Sequence, residues 1–260
     1  MKDFDLSKNE ICEILEFNYL KYNNPKFIET DPIQIPHLFT KKEDVEVSGF
    51  ITSILAWGQR PTIIKNCKDL MNRMDNSPAD FIKNHNELER LQFGNFVHRT
   101  FNGVDCIYFL HALQTLYLNY NGLEGSFNQH FKETANLGTT IHEWKKTFMS
   151  FDSPARTGKH IADPLKNSTA KRLLMFLRWM VRRDKKGVDF GIWTHIPSSA
   201  LYAPIDLHSS RVARKLELLT RKQDDWKAVI ELTENLRKFD PNDPVKYDFA
   251  LFGLGANKEL

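Results

Sequence analysis

Between positions 173 and 181 the apolar residues Leu173, Phe176, Leu177, Met180 and Val181 fall at the i, i+3, i+4, i+7, i+8 spacing of one helical face. That spacing constrains the chain most, because it returns from one end to the other while strict alternation at strand period returns nowhere. Ile11, Ile14, Leu15 and Tyr19 mark a first helix, stopped by Asn23-Asn24-Pro25. Val47, Phe50, Ile51, Ile54 and Leu55 mark a buried one that ends at Trp57-Gly58-Gln59-Arg60, and Pro61 opens the next. Ser77-Pro78 reads as the cap and first turn of a short helix carrying Phe81 and Ile82. A long helix is predicted near 104–120, ended by Asn121-Gly122, and another begins near Gly125. Thr140-x-x-Glu143 has the form of a capping box before Trp144 and Phe148. Asp224 or Asp225 opens a helix with Trp226, Val229 and Leu236, and Asp243-Pro244 starts a last one. The fold class expected is all-α.

With 260 residues, 41% of them hydrophobic, and 19 Phe and 5 Trp, the chain has ample material for a core. No apolar run is long enough to span a bilayer, and the start, MKDFDLSKNE, lacks the basic-then-apolar layout of a signal peptide. A cytoplasmic location without membrane contact is therefore the expectation. Cys12, Cys67 and Cys106 are isolated and suggest neither disulfides nor a metal motif. His142-Glu143 is not a zinc signature, since Lys146 stands where the second His belongs. Thr157-Gly158-Lys159-His160 lacks the other residues of a phosphate-binding loop. No metal or cofactor is expected.

Charge is distributed unevenly. The stretch from Arg156 to Lys186 holds ten Lys or Arg against Asp163 and Asp184, so it carries +8 and leaves −5 for the remainder of a chain whose net charge is +3. A focused basic surface is what a polyphosphate partner needs, and a solvated helix face with a charged turn at Arg182-Arg183-Asp184-Lys185-Lys186 is the plainer alternative. Asn167 or Ser168 can cap the helix that carries Lys171, Arg172, Arg178 and Arg182. Farther on, Ala203-Pro204-Ile205-Asp206 runs into a helix with Val212, Leu216 and Leu219 on one side, so Asp206 sits at a helix start.

A Lys near the start of a buried helix, a connection, and an apolar-Asp-x-His step into a helix with Arg211-Val212 following together resemble the core of the helix-hairpin-helix base-excision DNA glycosylases. The whole chain looks still more like a family of bacterial proteins of unknown function, a distant branch of that superfamily. The separation of 35 residues between Lys171 and Asp206 is closest to that of the archaeal 8-oxoguanine glycosylases. The resemblance departs at the hairpin, where Leu165-Lys166-Asn167-Ser168-Thr169-Ala170 stands in place of Leu-Pro-Gly-Val-Gly. It implies two helical lobes, 30–203 and 1–29 with 204–260, about a central cleft, in a monomer that binds double-stranded DNA at a damaged base. It also implies Lys171 as the amine nucleophile, with Arg172 the other residue that can fall in that register, and Asp206 as the essential carboxylate.

The remaining expectations follow from the chemistry. A carboxylate beside the sugar C1′ stabilises the positive charge that grows as the base leaves, and a neutral amine can attack C1′ to form a Schiff base. Gln59 matches the Gln that ends an apolar helix in these glycosylases and faces the DNA; an ordinary surface Gln after a Gly58 cap is the equal alternative. Lys166, Ser168, Arg172, Arg178 and Arg182 are the remaining DNA-binding candidates, Ser168 and the lysines replacing the backbone approach that hairpin glycines allow. A flipped base needs an aromatic pocket, for which Trp57, Phe190 and Trp193 are candidates. Against these stand plainer roles: Asp206 as an N-cap, Lys171 as a surface lysine, Trp193 as packed core and His208 as a structural hydrogen bonder. A nucleic-acid-binding protein that keeps the fold without catalysis is the rival reading.

Overall fold

The computed structural model describes residues 6–260, so Met1–Asp5, the start of the segment read for a targeting signal, lie outside the described residues. Thirteen α-helices account for most of the described chain, and a two-residue hairpin is the strand content among the described residues. The all-α expectation therefore holds. Among the described residues no helix is long and apolar enough to cross a membrane. Contacts divide the chain into two compact units, Ile28–Asp163 and the residues up to Phe27 together with Pro164–Leu260.

The unit Ile28–Asp163 is built on α3 (Lys42–Leu55), which follows α1 (Lys8–Tyr22) and α2 (Lys26–Thr30) in the chain. Val45, Val47, Phe50, Ile51, Ile54 and Leu55 of α3 are all buried. Around it come α4 (Arg60–Arg73), α5 (Pro78–Asn84), α6 (Glu87–Leu91), α7 (Gly103–Asn119), α8 (Gly122–Thr134) and α9 (Leu137–Phe148). Phe50 stacks on Phe109 at 6.0 Å and meets the edge of Trp144 at 5.7 Å, an arrangement that suits the quadrupoles of the rings. Trp144 donates its indole N–H to Ser126 Oγ at 2.9 Å, so this large core residue carries no polar penalty. Two boundaries differ from the sequence expectation. Asn136, whose side chain accepts from Thr139 N at 3.0 Å, caps α9, and Thr140 lies inside the helix. The α8 helix starts at Gly122, because Asn121 takes a left-handed backbone (φ 56°) that turns the chain sharply after α7. The hairpin β1 (Val97–His98) and β2 (Phe101–Asn102) turns at Arg99, also left-handed (φ 56°), and is too short to leave a periodic signal.

The other unit holds α1 with α10 (Lys171–Val181), α11 (Leu207–Lys215), α12 (Trp226–Arg237) and α13 (Asp248–Ala256), and both α1 and α11 pack on α13. Glycine sets how closely α13 approaches its neighbours. A methyl group at Gly253 would overlap the ring of Tyr22, and one at Gly255 would lie 2.7 Å from the His208 carbonyl oxygen of α11. Gly253→Ala is accordingly expected to lower stability by roughly 1–3 kcal/mol through overpacking, read as a reduced urea midpoint with unchanged helical content. The division of the chain also differs from the expected lobes 30–203 and 1–29 with 204–260, since residues 164–203 join the C-terminal helices. The reason is electrostatic as well as apolar: Arg178 and Arg182 of α10 find their partners at Tyr19, Asp189, Asp243 and Asp248.

Candidate active site

The segment before α10 does not cap the helix as expected. Ala170 occupies the N-cap position with a left-handed backbone (φ 49°), and Asn167 is left-handed as well (φ 63°). Asn167 donates to Asp225 Oδ2 at 3.2 Å, and Ser168 Oγ accepts from Ala170 N at 3.3 Å. This tight turn delivers Lys171 at the first position of α10, half-exposed.

Asp206 is the N-cap of α11. Its Oδ1 accepts from the backbone N–H of His208 at 2.8 Å and of Ser209 at 2.9 Å, and Ser209 Oγ accepts from Asp206 N at 2.9 Å. That leaves Oδ2, which accepts from Lys171 Nζ at 2.8 Å. The cap role and the ion pair thus use different oxygens of one carboxylate. Burial pushes the Asp206 carboxyl up, but the Lys171 ammonium and the two backbone N–H groups outweigh it and hold the group below the usual carboxylate range. A carboxyl depressed in the folded state adds stability above its unfolded value, roughly pH 4, and loses it as the pH falls through the folded value. The stability difference between wild type and Asp206→Asn is therefore expected to be largest near pH 7 and to shrink steadily below pH ~4, measurable by urea denaturation across that range.

Beneath this pair lies a second layer of charge. Arg178, although expected at a DNA-facing surface, is buried, with Nε 3.2 Å from Asp189 Oδ1 and Nη1 on Asp248 Oδ2. Arg182, expected there too, is fully buried. Its Nη1 reaches Asp189 Oδ2 at 3.0 Å and Asp184 Oδ2 at 2.8 Å, its Nε reaches Asp243 Oδ2 at 2.9 Å, and its Nη2 donates to Tyr19 Oη at 3.1 Å. The Arg178 guanidinium also covers the Phe249 ring at 4.3 Å. Neither arginine is available to a phosphate, and the surface charge of this region is smaller than the sequence count. The set was missed because lysine and arginine counts carry no burial information. The available signal was that Arg178 interrupts an otherwise unbroken apolar run from Leu173 to Val181, which places it in a core where only a paired guanidinium is tolerated.

The other candidates are distributed as follows. Lys166 is exposed, and burial pushes the Arg172 guanidinium down to about 10. Trp193 is buried, meeting the edge of Phe176 at 5.4 Å, and its N–H donates to Met180 O at 2.8 Å, so it anchors the loop on α10 as packed core. Phe190, half-buried, donates its N–H to Trp179 O at 2.8 Å on the same loop. His208 makes the structural bond expected, Nδ1 to Gly255 O at 3.2 Å. Trp57 and Gln59 belong to the unit Ile28–Asp163. Trp57 is half-buried under the Arg99 guanidinium, 4.5 Å from its ring, and its carbonyl pairs with His98 Nε2 at 3.2 Å. Gln59 is exposed at the N-cap position of α4. Among the described residues no three or more His, Cys, Asp or Glu are grouped to hold a metal ion. Cys67 and Cys106 are buried free thiols, and burial pushes the Cys67 thiol up to about 12, which makes it unreactive.

Residues 31–257 match the family described as protein of unknown function (DUF2400). The chain belongs to that family. The match spans Lys171 and Asp206 together with Asp184, Asp189, Asp243 and Asp248, the carboxylates paired with Arg178 and Arg182. No curated protein and no solved structure matches the chain.

Proposed function

We propose that this member of the family is a DNA repair glycosylase that excises a damaged, oxidised base, with AP-lyase chemistry carried by Lys171. The observation that supports the reading is the 2.8 Å contact between Lys171 Nζ and an Asp206 carboxylate already fixed by two backbone donors. Preorganised negative charge of this kind suits an oxocarbenium-like C1′, because no reorganisation is needed when the charge develops. The lone pair of a neutral Lys171 would attack C1′ as the glycosidic bond breaks, its electron pair leaving with the base. Opening of the C1′–O4′ bond then gives the iminium, and loss of a 2′ proton expels the 3′ phosphate. The left-handed backbone at Asn167 and Ala170 lends further support, since it lies in the segment where the resemblance calls for glycine. The reading carries with it a two-lobed, glycosylase-like arrangement with a central cleft, a cytoplasmic setting and double-stranded DNA as partner.

The rival reading, a binding protein that keeps the fold without catalysis, draws on two observations: Arg178 and Arg182 are withdrawn from the surface, and the hairpin glycines are replaced. A panel of duplexes carrying single lesions, starting with 8-oxoguanine and an abasic site, separates the two. Base release and a borohydride-trapped adduct support the glycosylase. Salt-dependent duplex binding with neither product supports the rival, and absence of binding, release and trapping removes both.

A further inference from the structure

Arg99 stands at the turn of the β1–β2 hairpin with a left-handed backbone (φ 56°), and its guanidinium lies over the Trp57 ring, 4.5 Å from the centroid. Both residues belong to the unit Ile28–Asp163. A methyl group at Gly58 would lie 2.8 Å from Arg99 Nη1, so the guanidinium uses space that a glycine leaves open. Arg99 is exposed, and among the described residues its side chain makes no hydrogen bond and no ion pair. Its position is held while its N–H donors are left for an outside acceptor. We propose that Arg99, laid on Trp57, is a nucleic-acid contact whose ligand is a backbone phosphate, at a site formed without Lys171 or Asp206.

The support of the hairpin tip is braced on both sides of Arg99. Asn66 Nδ2 of α4 donates to His98 Nδ1 at 2.9 Å, and His98 Nε2 donates to the Trp57 carbonyl at 3.2 Å. On the other side Arg156 Nη2 donates to the Thr100 carbonyl at 2.9 Å and Nη1 to Asn102 Oδ1. A loose arginine loses rotamer freedom when it grips a ligand, whereas one already laid on a ring has given up much of it beforehand. The sign of the surroundings decides the ligand. Residues 47–68, which carry Trp57 and the first turns of α4, and residues 91–104, which carry the hairpin, contain Arg60, Lys65, Lys68 and Arg99 and no Asp or Glu. Arg60 has Asp31 Oδ2 at 3.8 Å, and the next acid along α4, Asp69, is paired with Arg73 at 3.0 Å. A guanidinium fork matches the paired oxygens of a phosphate, and a chain of phosphates also engages neighbouring cations. Trp57 then serves as the seat of a cation, its ring face covered by Arg99.

This contact goes beyond the glycosylase reading, because it needs neither base release nor lyase chemistry. The test titrates an undamaged duplex against wild type, Arg99→Gln, Arg99→Lys and Lys227→Gln by fluorescence anisotropy over about 50–200 mM salt. Lys227 is an exposed cation of α12, in the other unit, and controls for net charge. Arg99→Gln is expected to weaken binding roughly three- to tenfold and to make the slope of log affinity against log salt shallower by about 0.9, the loss of one phosphate. Arg99→Lys keeps the charge and loses the fork, so it is expected to keep the wild-type slope with an affinity between the two. Lys227→Gln is expected to match wild type in both. Unchanged affinity and slope in Arg99→Gln overturn the proposal and leave the stack as packing of the hairpin, and an equal change in Lys227→Gln overturns it in favour of diffuse charge. A wild type that binds no duplex overturns it too. Should Arg99→Gln not fold, Arg99→Lys decides, since an unaltered affinity there means that fork and stack contribute nothing. Failure to release any base would sink the glycosylase reading while the Arg99 salt signature stood, and absence of that signature with base release intact would sink only this contact.

Discussion

Lys171→Ala is expected to abolish the covalent adduct that wild type forms with an abasic or 8-oxoguanine duplex under borohydride, while duplex affinity changes by less than about threefold. Position decides this: Lys171 Nζ is held against Asp206, and loss of one half-exposed cation already paired with a carboxylate removes little of a phosphate grip. Asp206→Asn is expected to slow base release by about 10²–10³-fold, the range lost when a preorganised group opposite developing charge is neutralised. The two variants have distinct signatures. Asn at position 206 still caps α11, so the fold stays intact and the loss belongs to the chemistry. An adduct that persists in Lys171→Ala names a different amine. Base release untouched in Asp206→Asn removes the carboxylate from the mechanism.

The helices were legible because each buries one face, and the 3.6-residue period of that burial is written directly in residues such as Leu173, Phe176, Leu177 and Met180. The candidate pair was legible for a different reason. Lys171 and Asp206 are 35 residues apart, and no local rule joins them; the resemblance of the flanking residues did, and the structure places them in contact. What could not be read was the fate of charge. Lys166 and Arg182 look alike in a count, yet one is exposed and the other fully buried, because burial depends on three carboxylates, Asp184, Asp189 and Asp243, that the fold gathers around the guanidinium. The grouping of residues 164–203 with the C-terminal helices has the same origin. Ala170 illustrates a second limit: a left-handed alanine costs about 1–2 kcal/mol locally, so sequence rules place a glycine or asparagine there and give no sign of the turn that Ala170 makes.

Arg182→Ala is expected to destabilise the protein by about 3–5 kcal/mol, with the larger loss at pH 8 than at pH 5. The size follows from what is left behind. Arg182 is fully buried and bonds Asp184, Asp189 and Asp243, and its removal strands the fully buried Asp189 and leaves the two partly buried carboxylates beside it without their guanidinium. The pH dependence has a defined sign. Burial already raises the Asp243 carboxyl despite Arg182, and without the guanidinium it rises further. A carboxyl raised above its unfolded value costs stability as pH increases past that value, so the variant recovers more on acidification than wild type, in which Arg182 still limits the rise at Asp243 and helps hold Asp184 depressed. Urea denaturation at the two pH values measures both quantities. A loss under ~1 kcal/mol, equal at pH 5 and 8, would mean that the network is hydrated and its ion pairs weak. The outcome matters for the site above it. The same arginine fixes Asp189 in the loop carrying Phe190 and Trp193, and Asp189 shares Arg178 with Asp248, so the charge beneath Lys171 and Asp206 is only as well placed as this buried set.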